Sequence, residues 1–168
     1  MDTGLLIARL VFGMVMTVHG CQKLFGWFGG PGMRGTAVFL EGLEFRPGRF
    51  FAMANALAGC GGGVFLALGL FEPAAAAVIV SVMVVAIATV HWRNGLLASI
   101  NGIELPLLYL TAALTLALTS PGDYSLDAVL GLRQWWTPQI TGIALAAGVV
   151  GGFESLMMRR PAPAVAHA

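Results

Sequence analysis

His19 and Lys23 stand four residues apart, so on a helix their side chains stack along one face and bring an imidazole beside an ammonium. His91 and Glu104 are the other candidates for proton chemistry, with Glu41 and Glu44 able to approach from the segment that follows Lys23. If the apolar segments between them run back and forth as helices, two imidazoles, an ammonium and carboxylates gather at one depth. Such a group could exchange protons with a quinone, because imidazole titrates near neutral pH and a carboxylate can orient it. The same residues could instead solvate helix ends at a membrane surface. Arg9 lies about two turns into the first apolar segment, and topology puts Glu72 of the Phe71-Glu72-Pro73 turn at the same end. An ion pair, a packing clamp between helices, and snorkelling of Arg9 to the interface are all open to that pair.

Other chemistries lack their patterns. The histidines and carboxylates have no HxxxH, HxxE or Cys/His spacing, so no metal site is expected, and a haem between His19 and His91 is permitted by topology but required by nothing. There is no phosphate-binding glycine loop. Ser81, Ser99 and Ser125 have neither a neighbouring base nor a nucleophile elbow. Cys21 and Cys60 form neither a CxxC pair nor a disulfide framework, so the sequence advertises no thiol chemistry.

The elements that must carry these groups are membrane spans. Of the 168 residues 58% are hydrophobic and only 10% charged, which is too little polar surface for a soluble domain. The formal charge of +1, scattered along the chain, gives nucleic acid nothing to bind. Clear spans run from Gly4 to Gln22, Phe50 to Leu70 and Pro73 to Val90. A fourth, Pro106 to Thr119, is short unless its helix begins near Gly95 and carries Asn101, Glu104 and Pro106 into the membrane, and that longer version is expected. A fifth covers Pro138 to Met158. The opening MDTGLLIARLVFGMV lacks a cationic start and a cleavage pattern and reads as a retained span.

With five spans, Lys23, Arg34, Arg46, Arg49, Arg93, Arg159 and Arg160 fall on one face and Arg133 on the other. The excess of basic residues on cytoplasmic loops then places the N-terminus outside and the C-terminus in the cytoplasm. Gly59 with Gly63, Ala58 with Gly62, and Gly148 with Gly152 suit close helix contact, either as a dimer seam or inside the bundle. The loop after the first span holds the aromatics of Phe25-Gly26-Trp27-Phe28, then Thr36 as the N-cap of a short interfacial or re-entrant helix through Phe45. Pro121-Gly122 and Trp135-Trp136 read as a turn and an interface anchor. No internal repeat is evident, and only the tail from Pro161 is low in complexity.

Arg9-Leu10, Gly13 and the run His19-Gly20-Cys21-Gln22-Lys23-Leu24-Phe25-Gly26-Trp27-Phe28-Gly29-Gly30 resemble the opening of the DoxX family of small bacterial membrane proteins. His91-Trp92, Asn101-Gly102-Ile103-Glu104-Leu105-Pro106 through Leu110, and Thr119 through Asp127 are similar to later family patterns. The resemblance implies an all-α, polytopic transmembrane helix bundle: a four-helix domain over 1–131, to which this chain adds a fifth span within 132–158 and a flexible cytoplasmic tail over 159–168. It implies a bacterial cytoplasmic membrane, a quinone-linked oxidoreductase system handling thiosulfate or thiols, and a protein partner or larger complex. A homo-oligomer is also open. His19, Lys23, His91 and Glu104 are the expected catalytic positions, and Arg9, Trp27, Trp92 and Asn101 those expected around a bound quinone. The contrasting expectation is a non-enzymatic anchor or accessory subunit that binds lipid or a larger complex.

Overall fold

The computed structural model describes residues 1–161, and among them every regular element is helical. The elements are α1 (Asp2–Phe25), α2 (Gly32–Gly42), α3 (Gly48–Leu68), α4 (Glu72–Ala86), α5 (Glu104–Thr119), α6 (Leu126–Val129) and α7 (Pro138–Met157). Beyond Ala86, α4 continues through a π-helical turn, Ile87–His91, and a 3-10 turn, Trp92–Asn94, so its apolar stretch spans 23 residues from Glu72 to Asn94. That stretch and α1, α3 and α7 are each long and apolar enough to cross a membrane. With 16 residues, α5 reaches about 24 Å at 1.5 Å per residue, against a hydrocarbon core of about 30 Å. The protein is a multi-pass membrane bundle with lipid-facing apolar helices.

Helix ends follow local chemistry. Gly26 (φ 74°) and Gly69 (φ 61°) close α1 and α3 in the left-handed conformation, where a side chain would be strained. Thr137 accepts the Ile140 N–H at 3.3 Å to open α7, with Pro138 at the first helical position.

Small residues decide which helices touch. A Cβ on Gly13 would lie 2.5 Å from the Ala67 nitrogen, one on Gly63 would lie 2.5 Å from that of Thr17, and one on Gly20 would overlap the Cys60 backbone. So α1 and α3 meet backbone to backbone along their length. On the other side of the bundle Gly148 rests on the Ala77 backbone and Gly152 faces Val84, joining α4 to α7. The small-residue patterns thus serve packing within the bundle, in the way tight membrane helix pairs use them. Between the two pairs a layer of larger side chains, including Met16, Leu66, Ile79, Met83 and Leu116, fills the core.

Two sequence expectations need correction. The fourth span does not begin near Gly95. Residues 95–103 instead close a tight turn in which the Ile103 N–H bonds the Gly95 carbonyl and the Glu104 N–H bonds that of Leu96. Gly102 sits so close to the Gly95 and Leu96 backbones that no side chain fits there, and Pro106, which cannot donate to a preceding turn, takes an early position in α5. Nor is Thr36 an N-cap. α2 starts at Gly32, and the Thr36 hydroxyl donates back to the Gly32 carbonyl at 2.8 Å from inside the helix.

Of the tail expected over 159–168, residues 162–168 lie outside the described residues. Its start is tied down: Arg159 pairs with Glu44 at 3.1 Å and donates through Nε to the Leu43 carbonyl, while the Arg160 N–H bonds the Glu44 carbonyl.

Candidate functional site

The chain crosses back and forth so that Lys23, Arg34, Arg46, Arg49, Arg93, Arg159 and Arg160 share the end where α1, α4 and α7 finish. At this basic end α1, α4 and α5 diverge under α2 and leave a cavity of about 430 Å³. Its walls are largely apolar, from Met16, Phe39, Leu40, Val82, Met83 and Leu105 among others. Its polar groups are His19, Lys23, Asn55, His91, Asn101 and Tyr109, with the hydroxyls of Thr36 and Thr89. A mostly apolar hollow with a few convergent polar groups is the usual form of a small-molecule site.

Each polar group is set by its element. His19 and Lys23 project from the same face of α1, one turn apart. Lys23 Nζ donates to Asn55 Oδ1 of α3 at 2.6 Å, which fixes the ammonium and leaves it further protons to offer. The π-helical turn adds a residue to the helical cycle just before Trp92, and this places Thr89, Val90 and His91 together on the cavity wall. His91 Nδ1 lies 2.8 Å from the Asn101 carbonyl, which can only accept, so the proton of a neutral ring sits on Nδ1 and Nε2 is a free acceptor. His19 Nδ1 lies 3.2 Å from Gln22 Oε1, and its ring meets Tyr109 edge to face at a centroid distance of 6.0 Å. His19 and Asn101 are exposed, and they mark the mouth of the cavity.

The cavity therefore unites four of the eight positions singled out in the sequence: His19, Lys23, His91 and Asn101. Glu104 stands beside it, but its Oε2 accepts the Ala98 N–H at 2.7 Å and closes the 95–103 turn. Trp92 is exposed on the surface, and Trp27 stacks on Phe25 at a centroid distance of 4.7 Å. Asn55 and Tyr109 were not singled out. Asn55 left a signal, as the lone amide in an otherwise apolar span, whereas nothing in the local pattern marks Tyr109.

Arg9 belongs to the opposite end. It is fully buried, so it does not snorkel, and its Nη2 donates to the Tyr124 carbonyl at 3.0 Å. Glu72 is equally buried nearby, yet the only ion pairs among the described residues are Arg133 with Asp123 and Arg159 with Glu44. Of the readings open to this pair, the ion pair and the snorkel are not formed, and Arg9 instead clamps the 120–125 loop. Gly69 allows it, because any side chain there would occupy the space of the guanidinium.

Asp127 organises the rest of this end. Its carboxylate accepts the N–H of Phe71 at 2.9 Å, that of Glu72 at 3.0 Å and Trp136 Nε1 at 2.8 Å, and its own N–H bonds the Gly69 carbonyl. A hollow of about 420 Å³ borders Glu72, Arg133, Trp136 and Thr141 here, but both Glu72 carboxylate oxygens are closed off from it.

The DoxX family model matches residues 4–92, more than half of the chain, from the first turn of α1 through the π-helical turn to Trp92. The chain belongs to the DoxX family. No curated protein and no solved structure matches it. The matched stretch of this DoxX chain includes His19, Lys23, Asn55 and His91, while Asn101 and Tyr109 come from the residues beyond it.

Proposed function

We propose that the cavity at the basic end binds a quinone headgroup and exchanges protons with it, which makes the chain the membrane subunit of a quinone-linked oxidoreductase. The observation that carries this reading is the convergence of Lys23, His91, His19 and Tyr109 in one apolar hollow inside a membrane bundle. The fit is chemical as well as spatial. A flat, apolar ring with two carbonyl oxygens needs apolar walls and donors, and Lys23 keeps protons free after bonding Asn55. A bound quinone would supply two-electron, two-proton acceptor chemistry. Lys23 would hold a headgroup oxygen by a charge-assisted hydrogen bond. His91 holds its Nδ1 proton on the Asn101 carbonyl and so would offer Nε2 for proton exchange in the cavity. His19, at the mouth, relays protons between the cavity and the water layer. Electrons enter from a protein partner bound at the membrane surface.

The test is equilibrium binding of a short-chain ubiquinone analogue to the protein in nanodiscs. Replacing Lys23 by Met removes a charge-assisted hydrogen bond of about 1.5–3 kcal/mol, so affinity falls by roughly 10- to 150-fold, while Arg34→Ala on the exposed face of α2 leaves it unchanged. Equal affinities for Lys23→Met and the parent protein would remove the reading. If gently purified protein carries only phospholipid and a non-redox complex, the anchor reading takes its place.

The distribution of basic residues supports an N-terminus outside the cytoplasmic membrane and a C-terminus within the cytoplasm. A phosphatase reporter fused at the end of α7 stays inactive under this orientation and a fluorescent reporter lights up. Active phosphatase would reverse it.

A further inference from the structure

The α1–α3 contact brings together two groups that lie 39 positions apart and that the cavity does not use: Cys21 Sγ and Cys60 Sγ are 3.6 Å apart, each the other's hydrogen-bond partner. Both thiols are free. Their closeness is built in, because Gly20 rests on the backbone of Cys60 and a Cβ on Gly59 would lie 3.3 Å from Gly20 Cα, so the two helix axes cannot separate without breaking the glycine contact. Bond formation needs the sulfurs to approach from 3.6 Å to about 2.05 Å.

Position on the helix decides what can reach them. His19 and Lys23 point into the cavity, and Cys21 lies two residues from each, about 200° around the helix at 3.6 residues per turn. The pair thus sits on the far side of α1, where Cys60 is half-buried and Cys21 buried. Cys60, half-buried in an apolar span, keeps part of its surface open to an apolar oxidant dissolved in the lipid.

We propose that Cys21 and Cys60 are a redox modification site that closes to an intramolecular disulfide when a lipid-soluble organic hydroperoxide reaches it. The Cys60 sulfur attacks the terminal peroxide oxygen, the O–O bond breaks, and an alcohol leaves with a proton while Cys60 becomes a sulfenic acid. The Cys21 sulfur then attacks the Cys60 sulfur. The S–O bond breaks, water leaves with the Cys21 proton, and the S–S bond forms. Two thiols and one hydroperoxide give one disulfide, one alcohol and one water, the two electrons passing from the sulfurs to the peroxide. The bond ties α1 to α3 about half a turn from Lys23 and holds in register the helices that supply Lys23 and Asn55. The proposal is independent of what occupies the cavity.

The experiment uses the full chain in proteoliposomes, treated with cumene hydroperoxide, quenched in acid and labelled under denaturing conditions with a maleimide-polyethylene glycol. Untreated protein takes two labels. Treated protein takes none, migrates as a monomer without reductant, and recovers both labels after reduction by a phosphine. Cys21→Ser, which has no partner thiol, stops at the Cys60 sulfenic acid, so dimedone added with the hydroperoxide traps Cys60 in this variant, and the mass loss of two hydrogens that marks the disulfide is found only in the parent protein. Two labels after treatment, loss that the phosphine does not reverse, or a disulfide-linked dimer in place of the monomer would each overturn the proposal.

Discussion

Gly20→Leu yields no folded protein. A Cβ at this position would overlap the nitrogen and Cα of Cys60, which are backbone atoms of a helix that cannot bend aside. Ordinary overpacking of a core costs about 1–3 kcal/mol because neighbouring side chains shift. Here the whole of α3 must move, and with it the contacts at Gly13 and Gly63 that belong to the same seam. The expected cost exceeds that range and removes a large part of the net stability of a domain this size, about 5–15 kcal/mol. The check is the yield of monodisperse protein on size exclusion after mild detergent extraction, beside Gly61→Leu. A Cβ on Gly61 meets nothing within 4 Å, so that variant is recovered like the parent. Recovery of Gly20→Leu at the same level would mean that α1 and α3 are not in backbone contact.

Asp127→Ala lowers stability by about 3–5 kcal/mol, the cost of removing one partner from a buried charged network. The Phe71 and Glu72 amides and the Trp136 indole lose their acceptor together, and Asp127 is fully buried, so water does not replace it at once. The start of α4, the end of α3 and the 120–137 segment are all held through this residue. In a thermal scan in detergent the midpoint falls by roughly 10 °C, taking about 2–4 °C per kcal/mol for a chain of this length. Asp127→Asn keeps one acceptor oxygen and falls between. Asp123→Ala is the comparison: its side chain is 69% exposed in a surface pair with Arg133, and such pairs are worth about 0–1 kcal/mol. Equal shifts for Asp123→Ala and Asp127→Ala would contradict this account.

The helices of this protein are legible because a bilayer imposes one rule on every residue: backbone polar groups must be satisfied within the span. Length and hydropathy therefore place α1, α3, α4 and α7 with few errors. The errors fall where that rule relaxes. At 95–103 and at the start of α2 the chain sits at the basic end, where turns compete with helix and the outcome rests on contacts such as Gly102 against the Gly95 and Leu96 backbones. The same holds for the site. His19 and Lys23 were visible as an i, i+4 pair and His91 as a polar helix end, because ionisable groups stand out in apolar spans. Tyr109 stayed hidden, since a tyrosine on an apolar helix carries no sign of the direction it faces.

The sequence by itself determined a polytopic helix bundle, its charge asymmetry between the two ends, and membership of the DoxX family, since all three depend on composition and order along the chain. Only the tertiary structure decided which polar groups meet. Antiparallel packing of α1 on α3 joins Lys23 to Asn55 and Cys21 to Cys60, and the fold separates Arg9 from the cavity while engaging Glu104 in a turn. Those outcomes depend on helix rotation and depth, which are fixed by glycines whose partners lie about 40 to 70 residues away and which no local pattern reveals.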